Sequence, residues 1–436
     1  ESGFFPVFRE GQGYNMTEIK PFKAIHYNKD KIKDFSKVLC PPYDVISPQQ
    51  QNGFYKASEY NFVRIYLGKD EDRDNEQNNK YTRAQKTYQE WLKEKVLVED
   101  DQPGIYYYKQ EYKVMGEKHS RLGFIALMRI QDDKSAKIFP HENTHQRAKD
   151  DRLKLWQSLN SILSPIFVCF ADRTKRVEKI FIKEVVNTPP MINITDDDGV
   201  RHVLWRLTDP TLVGEVVNAL SEQQLFIADG HHRYEVAKEN QRQQRLKTPN
   251  YTGQEPFNFV LTYFTDLESK DLKIFPIHRI VRHLSQKLEF LEDIFRIDKV
   301  KSKEDLAIYL AKAGKNEHAF GLYTKEGIRM LRLKNKAQID QLITEGSAEY
   351  RRLDATILKY FILDRLGVKS EDIVYTPDIN RAMAEVDGGS AEACFIMNPV
   401  KIQQLKEIAL NGERMPPKTT YFYPKVLSGM TAYKMG

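Results

Sequence analysis

Leu225-Phe226-Ile227-Ala228-Asp229-Gly230-His231-His232-Arg233-Tyr234 is an apolar run that stops on an acid and a glycine, then restarts with two histidines and an arginine. Four consecutive apolar residues predict a buried strand, and the polar stretch from Tyr234 to about Arg245 predicts a helix that follows directly. Gly230 permits the sharp reversal between them. Backbone N–H groups at a helix start have no intrahelical acceptor, and the helix dipole adds partial positive charge, so an anion is stabilised there. His231, His232 and Arg233 strengthen that effect, because an arginine fork holds phosphate oxygens bidentately and a histidine donates to the same group. The physical reading is a phosphate cradle made by Gly230, His231, His232 and Arg233. The competing reading is an Asp229 N-cap with solvated histidines. A metal held by Asp229, His231 and His232 is disfavoured, since adjacent histidines point apart.

A second stretch, Ile138-Phe139-Pro140-His141-Glu142-Asn143-Thr144-His145, contains His-Glu-x-x-His. On a helix this spacing puts two imidazoles on one face with the glutamate as base, as in a zinc hydrolase. Pro140 would place His141 at the very start of any helix, Asn143 and Thr144 are poor helix formers, and Gln146 to Arg152 offers almost no apolar face. No metal site is therefore assigned. Glu142 is a candidate catalytic carboxylate without zinc, against the alternative of an acid favoured by a helix dipole. Two further segments carry candidate substrate contacts. Pro41-Pro42-Tyr43-Asp44 is a stiff loop that would offer Tyr43 and the Asp44 carboxylate to a substrate amine, or simply an exposed acid. Lys418-Thr419-Thr420-Tyr421-Phe422-Tyr423 mixes a cation, hydroxyls and rings, and either closes over a nucleotide or forms a strand with alternating core aromatics.

Working outward, Ile19 to Ile25 and Phe62 to Leu67 read as strands, and Asn79 to Lys95 as a helix with one apolar face. Ile105 to Val114 and Arg121 to Ile130 read as paired strands about a Met115–Lys118 turn. A helix from about Asn143 to Leu159 and a strand Pro165–Phe170 precede the central motif. Past Thr265 come a helix from Leu353 to Leu366 and a strand Ala393–Met397. The expected architecture is α+β: a portion from 16 to 125, a core from 126 to 270, and a further α+β portion from 271 to 436. Met16 opens a new register, so residues 1–15 are expected to be an upstream leader.

Length and composition bound the rest. The chain has 436 residues, 41% of them hydrophobic and 29% charged, which suits globular domains and excludes global disorder. The 67 basic and 61 acidic residues leave a net +6, spread along the chain, so a dedicated nucleic-acid binder is not indicated, and no helix-turn-helix is visible. Three cysteines far apart give neither a disulfide framework nor a thiolate zinc site, which suits a reducing cytoplasm. No run approaches the ~18 apolar residues of a membrane helix.

Pro140-His141-Glu142, a charged helix, Pro165-Ile166-Phe167-Val168 and Ala228-Asp229-Gly230-His231-His232-Arg233, in that order, resemble the ParB/sulfiredoxin-like nucleotide-binding fold, and among its members the free-serine kinases. The resemblance covers about a third of the chain, and the longer gap between motifs implies an insertion around Lys175 to Glu222. Across nearly its whole length from Met16, the sequence also resembles a bacterial family of unassigned function labelled as ParB-type partition regulators. That likeness rests on the Pro41–Ile46, His141–Thr144, Ala228–Tyr234 and Met415–Lys425 motifs. The kinase resemblance implies a nucleotide-dependent phosphotransferase using ATP, ADP or CTP with Mg²⁺ and acting on a small hydroxylated metabolite, with free serine the best guess. Glu142 would take the proton of the substrate hydroxyl, with His232 also catalytic and Asp229 orienting a histidine or helping to hold Mg²⁺. His141, Gly230, His231, His232 and Arg233 would hold the nucleotide, and Asp44, Tyr43, Lys418 and Thr419 the substrate. The alternatives are a ParB-like regulator that binds nucleotide without turning over a metabolite and, behind it, a zinc-dependent hydrolase built on His-Glu-x-x-His.

Overall fold

In the computed structural model, residues 16–131 and 137–435 are described. The expected leader, 1–15, lies outside them. The chain forms two compact units. One takes residues up to Phe139, Thr144–Leu272 and the segment from Pro424 onward, and the other takes Pro140–Asn143 and Lys273–Tyr423.

The first unit is built on a nine-stranded mixed sheet. Its strands are β1 (Ile19–Lys20), β2 (Ile105–Val114), β3 (Glu117–Arg129), β4 (Ile138–Phe139), β5 (Ile166–Phe170), β6 (Ile192–Thr195), β7 (Arg201–Leu207), β8 (Leu225–Asp229) and β9 (Phe259–Asp266). Their order across the sheet is β4-β8-β5-β9-β3-β2-β7-β6, with β1 beside β3. The β2–β3 hairpin turns at Met115 and Gly116, both at positive φ (49° and 84°), the twist that suits a two-residue hairpin turn. Buried aromatics fill the sheet faces. Phe124 stacks on Phe264 with ring centroids 5.0 Å apart, and Phe170 meets Phe124 edge-on at 6.2 Å. The strands β4 and β8 run parallel, Phe139 opposite Phe226, so the chain leaves both at the same end of this sheet.

Of the helices α1 (Lys80–Lys93), α2 (Gln146–Leu159), α3 (Pro210–Leu220) and α4 (His231–Lys247), α4 packs on β5 and β9 and α3 on β1, while α2 packs on α4 and α1 on α2. Asn79 caps α1, accepting from the N–H groups of Tyr81 and Thr82, and Ala84, Tyr88 and Trp91 make its buried face. Asp209 caps α3 in the same way, with Pro210 at the first helical position.

The second unit carries an all-antiparallel six-stranded sheet ordered 295–300, 327–333, 319–324, 393–396, 278–281, 373–376. Alternate residues of its strands feed two separate cores. Val281 and Phe395 join Phe295, Phe320 and Phe361 in one, while Ile280, Cys394 and Ile396 join Leu306 and Met330 in the other.

A mixed α+β protein is what the sequence predicts, but several elements differ. The expected boundary near 125 falls inside β3, because strands from both sides of that residue share one sheet. The segment around Lys175 to Glu222, expected as an insertion, supplies β6 and β7 to the sheet. Residues 62–67 are not a strand. Val63–Tyr66 is a single helical turn, started by the Asn61 carboxamide accepting from Val63 N–H at 3.0 Å and closed by Tyr66 N–H on Phe62 O at 3.0 Å. Over so few apolar residues, a period of two and a period of 3.6 select nearly the same positions. The helix expected from Asn143 starts at Gln146, because His145 is extended (φ −98°, ψ 134°). The one expected over Leu353–Leu366 is an α-turn, Asp354–Leu358, running into a wider π-turn, Lys359–Leu363. Among the described residues no helix is long and apolar enough to cross a membrane.

Candidate functional site

In the first unit the strand-to-helix junction is built as the sequence predicts. Leu225 to Ala228 are buried, and a register shift after Ile227 sets Asp229 opposite Phe167. Gly230 then takes φ +87°, and α4 begins at His231 with no side chain capping it. A Cβ at Gly230 would stand 2.9 to 3.0 Å from the Arg233 guanidinium, so close packing as well as backbone conformation reserves the position for glycine. His231 is buried and His232 half-buried, and the His232 Nε2 accepts the His145 backbone N–H at 2.9 Å with the two rings stacked.

Two cationic side chains at the junction have defined roles. Arg233 does not reach outward. Only 4% exposed, it donates through Nη1 to the Pro165 carbonyl and to Ser164 Oγ at 3.2 Å, and its Nη2 lies 3.9 Å from Asp229. Burial opposes its charge, but Tyr66, Asp229 and Asp44 outweigh that and raise its pKa. Arg233 thus braces the strand start below it through Nη1 and faces Asp229 through Nη2. The second cation is Lys425, the last residue of the Met415–Lys425 motif, to which the sequence patterns give no role. Lys425 Nζ donates to Asp229 Oδ2 at 3.0 Å, while Asp229 Oδ1 accepts Gly230 N–H at 2.9 Å. Burial alone would lift the Asp229 pKa; Lys425, Arg233 and His231 overcome it and hold the carboxyl well below the usual range. Lys425 is itself placed by buried groups: Gln110 Nε2 donates to its carbonyl at 2.8 Å, and Arg121, fully buried, bonds Gln110 and the Pro424 carbonyl.

The Asp229–Lys425 pair lends itself to a double-mutant cycle. Asp229→Asn, Lys425→Met and the pair together are expected to show a coupling of about 1–3 kcal/mol in urea midpoints. Additive single effects would dissolve the pair.

The Pro41–Asp44 loop belongs to the same constellation. Tyr43 N–H lies 3.5 Å from the Tyr66 hydroxyl, which shares a 2.8 Å hydrogen bond with Ser164 Oγ, the group that also receives Arg233. Arg152 covers the Tyr43 ring at 4.4 Å and donates to the Tyr66 carbonyl at 2.7 Å. Asp44 remains exposed. Tyr43, Arg233, Asp229 and Gly230 are thereby linked in one network, whose connectors Tyr66, Arg152 and Ser164 carry no sequence signal of their own.

Asp151, beside Arg152, gives the network a pH signature. Burial would raise its pKa, but Arg152, Lys80 and Tyr81 bring it from 3.8 to about 2. A depressed carboxyl contributes stability that is fully present above its unfolded pKa and lost as the pH falls toward its folded one. Between about pH 4 and 2 the wild type is expected to lose stability faster than Asp151→Asn, as read by urea melts at each pH.

The remaining candidates meet in the second unit. Glu142 makes a parallel bridge with Met415 and accepts the Lys418 N–H at Oε1, 3.2 Å away. His141, fully buried, has Nε2 3.3 Å from Thr420 Oγ1, and its carbonyl accepts Met415 N–H at 2.7 Å. Thr419 Oγ1 turns back to the Pro416 carbonyl. The loop ends in a strand, Tyr421–Tyr423, paired with Lys273–Phe275. His-Glu-x-x-His does not lie on a helix. Residues 141–145 precede α2, so the one-turn spacing of two imidazoles that a zinc-peptidase helix requires is missing.

Comparison with known proteins places this geometry in context. No curated protein matches the sequence. Among solved structures, a conserved hypothetical protein from Pyrococcus furiosus is 16% identical with a TM-score of 0.33, covering 66% of this chain and 89% of that one. A mutant free serine kinase in complex with AMP is 14% identical with a TM-score of 0.34, covering 66% and 84%. SbnI with a C-terminal truncation, from Staphylococcus aureus, is 10% identical with a TM-score of 0.36, covering 70% and 85%. Likenesses this distant carry no argument about fold or activity. The sequence itself is decisive: residues 19–356 match the family described as a protein of unknown function, DUF1015, and the chain belongs to that family.

Proposed function

We propose that this protein is a nucleotide-dependent phosphotransferase acting on a small hydroxylated metabolite, with free serine as the acceptor, and that its nucleotide lies on a ParB/sulfiredoxin-like core. The observation that carries the reading is the β8–Gly230–α4 junction, a helix start without a side-chain cap beside Lys425, His231 and His232. An anion there meets backbone N–H groups and the positive end of the dipole together. Asp229 and Arg233 act as positioning residues, the first aiming Lys425 and the second locking the turn. ATP, ADP and CTP all satisfy a cradle that reads phosphate and not base.

Mg²⁺, when bound, would neutralise phosphate charge. Both Asp229 oxygens already receive hydrogen bonds, so the exposed Asp44 is the better ligand for it. In the transfer step the acceptor O–H gives its proton to Glu142, a new O–P bond forms, and the P–O bond to the departing nucleotide breaks. Tyr43, Lys418 and Thr419 would contact the acceptor, and His141 would steady the Glu142 segment through the loop it bonds.

A thermal-shift screen of ATP, ADP and CTP with Mg²⁺, followed by detection of phosphoserine with the nucleotide that binds, tests the proposal. Binding with no transfer to serine or another hydroxylated metabolite would leave a nucleotide-binding regulator, and no binding would remove the nucleotide altogether.

A further inference from the structure

The second unit holds a cation whose charge its surroundings do not balance. Arg279 stands on the strand His278–Val281 and is 4% exposed. Its Nη1 donates to the Ile277 carbonyl, its Nη2 lies 3.5 Å from the Lys418 carbonyl, and its guanidinium is 5.7 Å from the Tyr375 ring centroid. Among the described residues it forms no ion pair. Asp354, the acid that acts on it through space, is engaged by His318 Nδ1 at 2.8 Å. The adjacent His278 accepts Met397 N–H at 3.1 Å, and burial brings its pKa down to about 4, so it is neutral at pH 7. Burial likewise brings Arg279 down to about 10.

Two neutral carbonyls are poor compensation for a buried guanidinium, since desolvating such an ion costs several kcal/mol unless a counter-charge is supplied. Shape alone would be better served by an apolar side chain. The group whose carbonyl faces Arg279 is unusual in its own right: Lys418 holds φ +55°, a left-handed conformation that a non-glycine residue adopts at a cost. Its N–H is directed to Glu142, and the hydroxyls of Thr419 and Thr420 follow it. Pro417 is exposed and Lys418 and Thr420 are half-buried, so this loop lies at the surface of its unit.

We propose that Arg279 and the Lys418–Thr420 loop form a subsite for a small oxyanion, the carboxylate of the acceptor molecule. The inference deepens the phosphotransferase reading by making the acceptor an amino or hydroxy acid, and it rests on that reading for the acceptor's role. Each Nη gives one N–H to a carbonyl and keeps a second, so a carboxylate can be met by the remaining N–H groups and supplies the missing negative charge.

The test uses the full chain without nucleotide. Wild type, Arg279→Met and Arg279→Lys are melted alone, with L-serine and with inorganic phosphate. A ligand bound only by the folded state raises Tm with concentration. Serine is expected to raise the wild-type Tm, and Arg279→Met to melt no lower than wild type without ligand while losing the serine-dependent rise. Arg279→Lys, which keeps the charge without the fork, is expected to need at least fivefold more serine for the same rise. A wild type insensitive to serine, or variants that respond as it does, would overturn the subsite. So would Arg279→Met melting well below wild type while Arg279→Lys keeps the full response, which marks a structural arginine. A rise with phosphate alone would overturn the carboxylate assignment in favour of a phosphate source. Failure of the two proposals is distinguishable: a serine response without phosphoserine formation removes the transferase and leaves the subsite, and phosphoserine formation without an Arg279-dependent response does the reverse.

Discussion

Glu142→Gln is expected to bind nucleotide with unchanged affinity and to lose phosphoryl transfer by roughly 10²–10⁴-fold, the usual contribution of a positioned general base. The substitution keeps the side-chain volume and a carbonyl oxygen that still accepts the Lys418 N–H, so the loop it anchors should persist. What disappears is the capacity to take a proton. Nucleotide binding, proposed at the β8–α4 turn and Lys425, draws on a different set of groups and serves as the internal control. Thermal shift with nucleotide and a phosphoserine assay on the same preparation give the two readings. Full transfer in the variant would dismiss Glu142 as the base, and lost binding would show that the carboxylate supports the nucleotide site itself.

The second large effect is expected on stability. Gly230→Val puts a β-branched residue at φ +87° and drives its Cβ into the Arg233 guanidinium. The left-handed conformation alone costs about 1–2 kcal/mol. If Arg233 is displaced, its bonds to Pro165 and Ser164 break inside the protein, and exposing such a buried charged group to an unpaired state costs roughly 3–5 kcal/mol. The combined loss is of the same order as the whole stability of many domains. Urea unfolding should show a steep fall in midpoint, with expression in insoluble form as the limiting case. A variant within about 1 kcal/mol of wild type would mean that the turn relaxes, and that the left-handed geometry is dispensable.

How far the sequence leads depends on the kind of signal. The junction at Gly230 is legible because an apolar run, a glycine and a polar helical stretch each point to the same local structure. The β2–β3 hairpin is legible for the same reason, since both strands are long and the turn residues stand between them. Val63–Tyr66 is not, because four residues contain too little periodicity to separate strand from helix. For Arg233 the sequence indicates the place but not the direction of the side chain. Residue type can be read from the chain, but only packing tells that the guanidinium faces Pro165 and Ser164 and not solvent. Lys425 and Arg279 escape assignment because their roles come from partners far along the chain, Asp229 for one and the Lys418 carbonyl for the other. Single-sequence patterns of a few residues hold no information about such pairings.

The Lys425–Asp229 bond spans 196 residues of sequence. At ribosomal rates of about 5–20 residues per second, Asp229 waits roughly 10–40 s after its own synthesis before its lysine exists. During translation the carboxylate has Arg233 beside it but not yet Lys425, and a message cut short anywhere in between yields a product that never acquires the lysine. Full-length synthesis is thereby a precondition for the Lys425 contact, so a truncated polypeptide would differ from the finished one in charge balance at the Gly230 turn and be open to disposal by proteases.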